Sequence, residues 1–253
     1  MAISKKVKVH SALIAVWAAL MATAGLLPTF PVFGTGGSFS VGYALAPLAG
    51  IMFGPFAGAL SVGIGDFIGS IIAPHSAPLG LFTFTVNTVN AFCAGFICRK
   101  KWWVPAIVIL IETAIWFTLP QARELLVFSL IYLVGLIMVP IGGIFGKKIF
   151  GNKNLLLKAF GIFLMAWPCY IAGSIVGNIF TLILFETPSD LWNTFLVFMV
   201  PFERSIFAIG AAIIGVPLLI GLPKIGIFVG PEFDEAEVED DLDAKMQAKR
   251  MNK

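Results

Sequence analysis

Residues 44–72, ALAPLAGIMFGPFAGALSVGIGDFIGSII, decide how this chain folds: two apolar segments meet at Gly54-Pro55, and one carboxylate, Asp66, sits inside the second. A carboxylate at the centre of an apolar span costs about 3 kcal/mol or more, so Asp66 must face protein or a polar cavity rather than lipid. Gly58, Ala59, Ser61, Gly63, Gly65 and Gly69 surround it, and small residues let neighbouring helices approach closely. Asp66 therefore reads either as a site residue or as a partner to an adjoining helix.

Composition places the rest of the chain in the membrane as well: 58% hydrophobic and 12% charged residues, with a mean hydropathy of +0.95 over 253 residues. The net charge of +3 does not point to nucleic acid, because the basic residues form short clusters between apolar runs and the acidic ones crowd the C-terminus. Charge here reports topology. Cys93, Cys98 and Cys169 fall in apolar runs with no CxxC spacing, so neither a disulfide frame nor a zinc site nor another cofactor is expected.

Upstream, Lys5, Lys6 and Lys8 precede an apolar run over residues 12–27, at the short end for a span. Ala22-Thr23-Ala24 resembles a signal-peptidase site, whereas the registers Ala15/Ala19 and Ala18/Ala22 favour a retained first helix with one small-residue face. Residues 27–40, LPTFPVFGTGGSFS, read as a long loop whose Phe30, Phe33 and Phe39 lie over an outward site or at the membrane interface. The next span, 41–53, is short enough to be read as tilted or partly interfacial.

Downstream of residue 72 a Pro-rich loop holds His75, and the span 81–97 places Thr83, Asn87 and Asn90 on one face, which must point inward. It stops at Arg99-Lys100-Lys101 and Trp102-Trp103, a basic and aromatic pattern typical of a cytoplasmic interface. Runs 104–119 and 125–145 read as an antiparallel hairpin around Gln121-Ala122-Arg123-Glu124, with Glu112 as a structural residue in its first helix. Two more spans follow, 159–185 with Trp167, Pro168, Tyr170 and Asn178, and 196–222 with Pro201-Phe202-Glu203-Arg204. Residues 226–253 form an acidic tail with too little apolar surface to fold alone, so it is expected to be disordered or helical.

The charges test this count. With eight spans, Lys5–Lys8, Arg99–Lys101, Lys147–Lys158 and Lys224 all fall on one side, and the opposite loops hold only Arg123 as a cation. The chain is thus expected to be an all-α integral membrane protein: about eight transmembrane helices within residues 1–225, both termini cytoplasmic. At about 1.5 Å per residue across a core of about 30 Å, Asp66, Asn87, Asn90, Asn178, Glu203 and Arg204 all lie in the outer half. That distribution suits an outward-facing pocket better than a proton path.

The pattern G-x-x-F-G-P-x-x-G-A-L over residues 50–60, followed by Asp66, resembles the substrate-binding S components of energy-coupling factor (ECF) vitamin transporters. So do the Ala-xxx-Ala first helix and the final span VPFERSIFAIGAAIIGVPLL. The resemblance implies a six-helix core, with the hairpin at about 103–150 as a two-helix insertion, in a prokaryotic cell membrane. It also implies a vitamin-like small molecule as ligand, a transmembrane coupling subunit and two ATPase subunits as partners, and delivery by toppling in the bilayer. Riboflavin, thiamine, biotin, folate and a queuosine precursor all remain open as ligand.

Under this reading the docking face comprises Ala15, Ala19 and Ala22, and Asp66 is structural or gating. The pocket candidates are Asn87, Asn90, Trp167, Tyr170, Asn178, Glu203 and Arg204, with Arg204 suited to a carboxylate or phosphate and the aromatics to ring stacking. The chain has no G-x-x-x-x-G-K-[ST] loop, so ATP hydrolysis belongs to partners. Two rivals are a stand-alone ion-coupled transporter using Asp66, Glu112 and Glu203, and an intramembrane enzyme. The first lacks an internal repeat. The second lacks H-E-x-x-H and G-x-S-x-G, with His10 and His75 both outside the spans, so no enzymatic activity is expected.

Overall fold

A computed structural model describes residues 11–32 and 37–231; Lys5, Lys6, Lys8, Phe33 and the acidic segment from residue 232 onward lie outside the described residues. Among those described, the helices are α1 (Ser11–Ala24), α2 (Gly42–Phe53), α3 (Pro55–Ile72) and α4 (Thr83–Ile97), then α5 (Trp103–Trp116), α6 (Leu126–Phe150), α7 (Leu155–Leu184) and α8 (Leu191–Lys224). Five segments are long and apolar enough to cross a membrane: α3, α4 with its leading turn from Gly80, α6, α7 and α8. The apolar helices α1, α2 and α5 are shorter. The chain is an all-α multi-pass membrane protein.

Side-chain distribution on α3 shows how such a helix packs. Phe56, Leu60, Ile64, Phe67 and Ile71 are exposed, whereas Gly58, Ala59, Ser61, Gly65 and Gly69 are buried. Large residues face lipid and small ones face protein, because lipid tails leave no hydrophobic force between helices and close backbone contact must supply the packing.

The short α2 is enclosed by protein, which its length alone did not show. All of its residues from Gly42 to Phe53 are buried, and it packs against α3, α4 and α8. A helix enclosed by others need not match the bilayer thickness. The motif at its end is architectural: Gly54 has φ 92°, a conformation that favours glycine, and turns the chain directly into Pro55 at the first position of α3. A Cβ on Gly50 would strike the Ala91 carbonyl, so α2 and α4 touch backbone to backbone. Arg99 Nη1 donates to the carbonyls of Gly50 and Gly95, both at 3.2 Å, fastening this corner.

Residues 27–40 also differ from the loop expected. β1 (Pro28–Pro31) and β2 (Ser38–Ser40) pair antiparallel, with Pro28 opposite Ser40 and Pro31 opposite Ser38. The strands are too short for hydrophobic alternation to reveal them, and side chains complete the ladder: Thr29 Oγ1 donates to the Phe39 carbonyl (3.1 Å). Ser38 Oγ donates to the His75 carbonyl (3.1 Å), clasping the β-hairpin to the α3–α4 turn.

The helical hairpin α5–α6 packs chiefly on α7. Trp116 Nε1 donates to Ser129 Oγ (2.9 Å) within it, and an aromatic cluster of Trp116, Phe128, Tyr132 and Trp192 joins it to the start of α8. Asn193 bridges the two, donating to the Glu124 carbonyl (3.0 Å) and accepting from Phe128 N (3.2 Å). Glu112 is buried in α5 and its Oε2 has no hydrogen-bond partner.

Candidate functional site

Beneath the β-hairpin lies a cavity of about 50 Å³ lined by Phe39, Tyr43, Ser174, Asn178, Thr181 and Arg204 among others. Arg204 dominates it. The residue is 6% exposed; its guanidinium sits 5.0 Å from the centre of the Phe39 ring and donates from Nε to Ser174 Oγ at 2.7 Å. Ser174 Oγ in turn donates to the Tyr170 carbonyl (2.6 Å), so its lone pairs are aimed at the arginine. Nη1 of Arg204 is buried and has no partner. An uncompensated donor on a buried charge is costly, and Arg204 is among the residues that line the cavity.

The wall is aromatic. Phe39 meets Tyr43 edge-on (4.8 Å) and Phe207 (5.3 Å), while Tyr43 and Phe207 stack at 5.3 Å. Tyr43 is fixed from below for a specific reason. Pro47 has no N–H to offer the carbonyl four residues before it, which is that of Tyr43, and the Tyr170 hydroxyl fills the gap at 3.0 Å. The Phe207 carbonyl lies 3.3 Å from the same hydroxyl.

Of the residues singled out from sequence, Arg204 and Asn178 meet at this cavity. Asn178 Nδ2 donates to the Tyr132 hydroxyl on α6 (3.0 Å). Tyr170 lies under the cavity with its hydroxyl on backbone carbonyls, and Trp167 Nε1 donates to Ser205 Oγ (3.1 Å), an α7–α8 contact away from it. Glu203 is buried on α8 and does not line the cavity.

Asn87 and Asn90 belong to another group. Asn87 Nδ2 donates to Asp66 Oδ2 (2.6 Å), and Asn90 Nδ2 donates to Asn87 Oδ1 (3.1 Å), a chain joining α3 to α4. Thr83, Asn87 and Asn90 are all buried, so the polar stripe of α4 does face inward. Asp66 and Asn87 border a separate polar cavity of about 10 Å³ with Ser40, Ser70, Ser76 and Thr83. Tyr43 lines both cavities and divides them.

The small-residue face of α1 is split. Ala15 and Ala19 are exposed, whereas Ala22 is buried where α1 meets Gly69 of α3, so Ala22 is unavailable to a partner. The stripe reads as continuous from spacing alone, but α3 covers its far end. Sequence reasoning missed Tyr43, Ser174 and Thr181 in the cavity. Ser174, Asn178 and Thr181 stand at i, i+4 and i+7 on α7, the same signal that marked α4.

A much larger cavity, about 590 Å³, opens at the opposite, basic end of the bundle. It is lined by Lys100, Lys147 and Lys148 together with Trp102, Ile144 and Phe150, and holds none of the amide and hydroxyl side chains found under the β-hairpin.

Comparison with curated proteins and with solved structures finds no match. A family model for the ECF-type riboflavin transporter S component matches residues 6–139, more than half of the chain, running from before α1 through α5 and into α6. With the resembling motif at Gly50–Leu60 and the all-α multi-pass fold, that match makes this chain a member of the ECF-type riboflavin transporter S component family, the substrate-binding subunits of ECF transporters.

Proposed function

We propose that this protein captures riboflavin or a closely related flavin from outside the cell and delivers it inward with a membrane coupling subunit and two ATPases. The observation that carries the reading is the buried, partly unsatisfied Arg204 fork, set against Phe39 beneath the β-hairpin. Riboflavin is neutral, so the arginine serves as a charged hydrogen-bond donor to the carbonyls of the ring's imide edge rather than as a carboxylate clamp. Phe39 and Tyr43 offer faces for the ring, and Ser174, Asn178 and Thr181 offer partners for the ribityl hydroxyls.

The cavity of about 50 Å³ is far below the roughly 300–1,000 Å³ of small-molecule pockets. Binding therefore requires the β-hairpin to lift, which breaks the Ser38–His75 clasp. The β-hairpin end faces outward in this reading and the basic end faces the cytoplasm, with both termini there. The exposed Ala15 and Ala19 of α1 supply the contact to the coupling subunit in a prokaryotic cell membrane.

Flavin fluorescence gives the test. Titrating riboflavin with the purified chain in nanodiscs should quench its emission to a one-to-one endpoint, as expected for a ring enclosed by aromatic residues. Absence of quenching, together with a different compound co-purifying in native mass spectrometry, would overturn the flavin assignment.

A further inference from the structure

We infer that the basic cavity at the end opposite the β-hairpin receives the acidic segment of the same chain that follows Pro231, residues 232–243. The cavity, about 590 Å³, is lined by Lys100, Lys147 and Lys148, with Trp102, Ile144 and Phe150 as its apolar surface. Lys158 adds a fourth cation, its Nζ standing 4.6 Å from the centre of the Phe150 ring. Positive charge is thus gathered round an apolar floor, a combination that fits an acidic peptide carrying spaced hydrophobic side chains.

Such a peptide begins at the rim. After α8 the chain turns back at Gly226 (φ 84°), and Gly230 N donates to the Met52 carbonyl at the end of α2 (3.0 Å). Val229 is 4% exposed, and Pro231 itself lines the cavity. The continuation, EFDEAEVEDDLD, holds eight carboxylates and no cation, with Phe233, Val238 and Leu242 interspersed. At about 3.4 Å per extended residue, Glu232, Asp234 and Glu235 all start within about 14 Å of the anchor. A tether this short sets an effective concentration in the millimolar range, so even a weak ionic contact is populated. Like other surface ion pairing it is screened by salt.

The segment seats on the cavity as a covalently attached counter-ion that shields the lysines from other anions. Anionic phospholipid headgroups are the competing occupant, and the two are separable by experiment. The full chain in uncharged phosphatidylcholine nanodiscs at low salt is treated with a carbodiimide, which converts a lysine–carboxylate contact into an amide, and the links are mapped by mass spectrometry. Links from Lys100, Lys147 or Lys148 to carboxylates within 232–243 are expected, falling several-fold at about 1 M salt, where the Debye length is about 3 Å. Absence of such links, or coupling of these carboxylates only elsewhere, overturns the proposal.

The second arm uses Glu232→Gln with Asp234→Asn and Glu235→Gln. This variant should retain phosphatidylglycerol in native mass spectrometry several-fold more than the parent, with the gain removed by Lys147→Gln plus Lys148→Gln. Equal retention by variant and parent makes the cavity a lipid site that the segment does not occupy, which also overturns the proposal.

Discussion

Asn178 on α7 and Tyr132 on α6 are joined by a single hydrogen bond of 3.0 Å, and through it the α5–α6 hairpin holds a residue that lines the candidate substrate cavity. Tyr132 is fully packed within the Trp116–Phe128 cluster, so its hydroxyl is a fixed point. Tyr132→Phe removes only the acceptor. A net hydrogen bond of this kind is worth about 0.5–1.5 kcal/mol to the fold, so a small drop in melting temperature is expected, and flavin affinity should fall by up to about tenfold as Asn178 loses its anchor. An unchanged affinity would show that Asn178 is not positioned for the ligand.

Arg204→Lys keeps the charge and loses the planar fork. With one charged hydrogen bond to Ser174 and an unpaired Nη1, the native side chain should contribute about 1.5–3 kcal/mol to binding, a loss of roughly tenfold to 150-fold in titrations of either Arg204→Lys or Arg204→Ala. Rescue by lysine would reduce the role of Arg204 to that of a point charge.

Asp66 is bonded to Asn87 and does not line the Arg204 cavity, so a scaffold role is the one to test. Asn87→Leu strands Asp66 Oδ2 and Asn90 Nδ2 and should cost about 1–3 kcal/mol for each buried group left unpaired, read as a lower melting temperature. Asp66→Asn should leave flavin affinity intact. Loss of binding by Asp66→Asn at unchanged melting temperature would place the carboxylate in the binding site instead.

Tyr170→Phe removes the hydroxyl that substitutes for the missing N–H of Pro47. The Tyr43 carbonyl then stays buried without its partner, and destabilisation of about 1–3 kcal/mol is expected in denaturation. A stability equal to the parent would mean that the carbonyl finds another donor.

On α1, Ala15→Trp combined with Ala19→Trp should abolish energised uptake in proteoliposomes containing the full transporter while sparing flavin binding. Ala22→Trp should instead lower the melting temperature, because Ala22 is packed at the crossing with α3. Normal uptake by the double tryptophan variant would move the docking surface elsewhere.

The helices were legible because each is a continuous apolar run, and Gly54-Pro55 announces a corner that only a glycine backbone makes easily. The enclosure of α2 was not, since length is informative about a lipid-facing helix and silent about one wrapped by others. Arg204 and Asn178 were visible as polar residues that lipid forbids. Which cavity each polar residue joins was hidden, because helix rotation and crossing decide it: Asn87 and Asn178 share their chemistry, yet one bonds Asp66 and the other Tyr132.

Tyr43 gives the two polar compartments their independence. One phenol ring, 3% exposed and stacked on Phe207, stands between a carboxylate on α3 and a guanidinium on α8. It acts as a partition: the Asp66 carboxyl bonds Asn87 on one side, the Arg204 guanidinium bonds Ser174 on the other, and neither completes the other's hydrogen bonds. Arg204 is thereby left with one donor, Nη1, that no group among the described residues accepts.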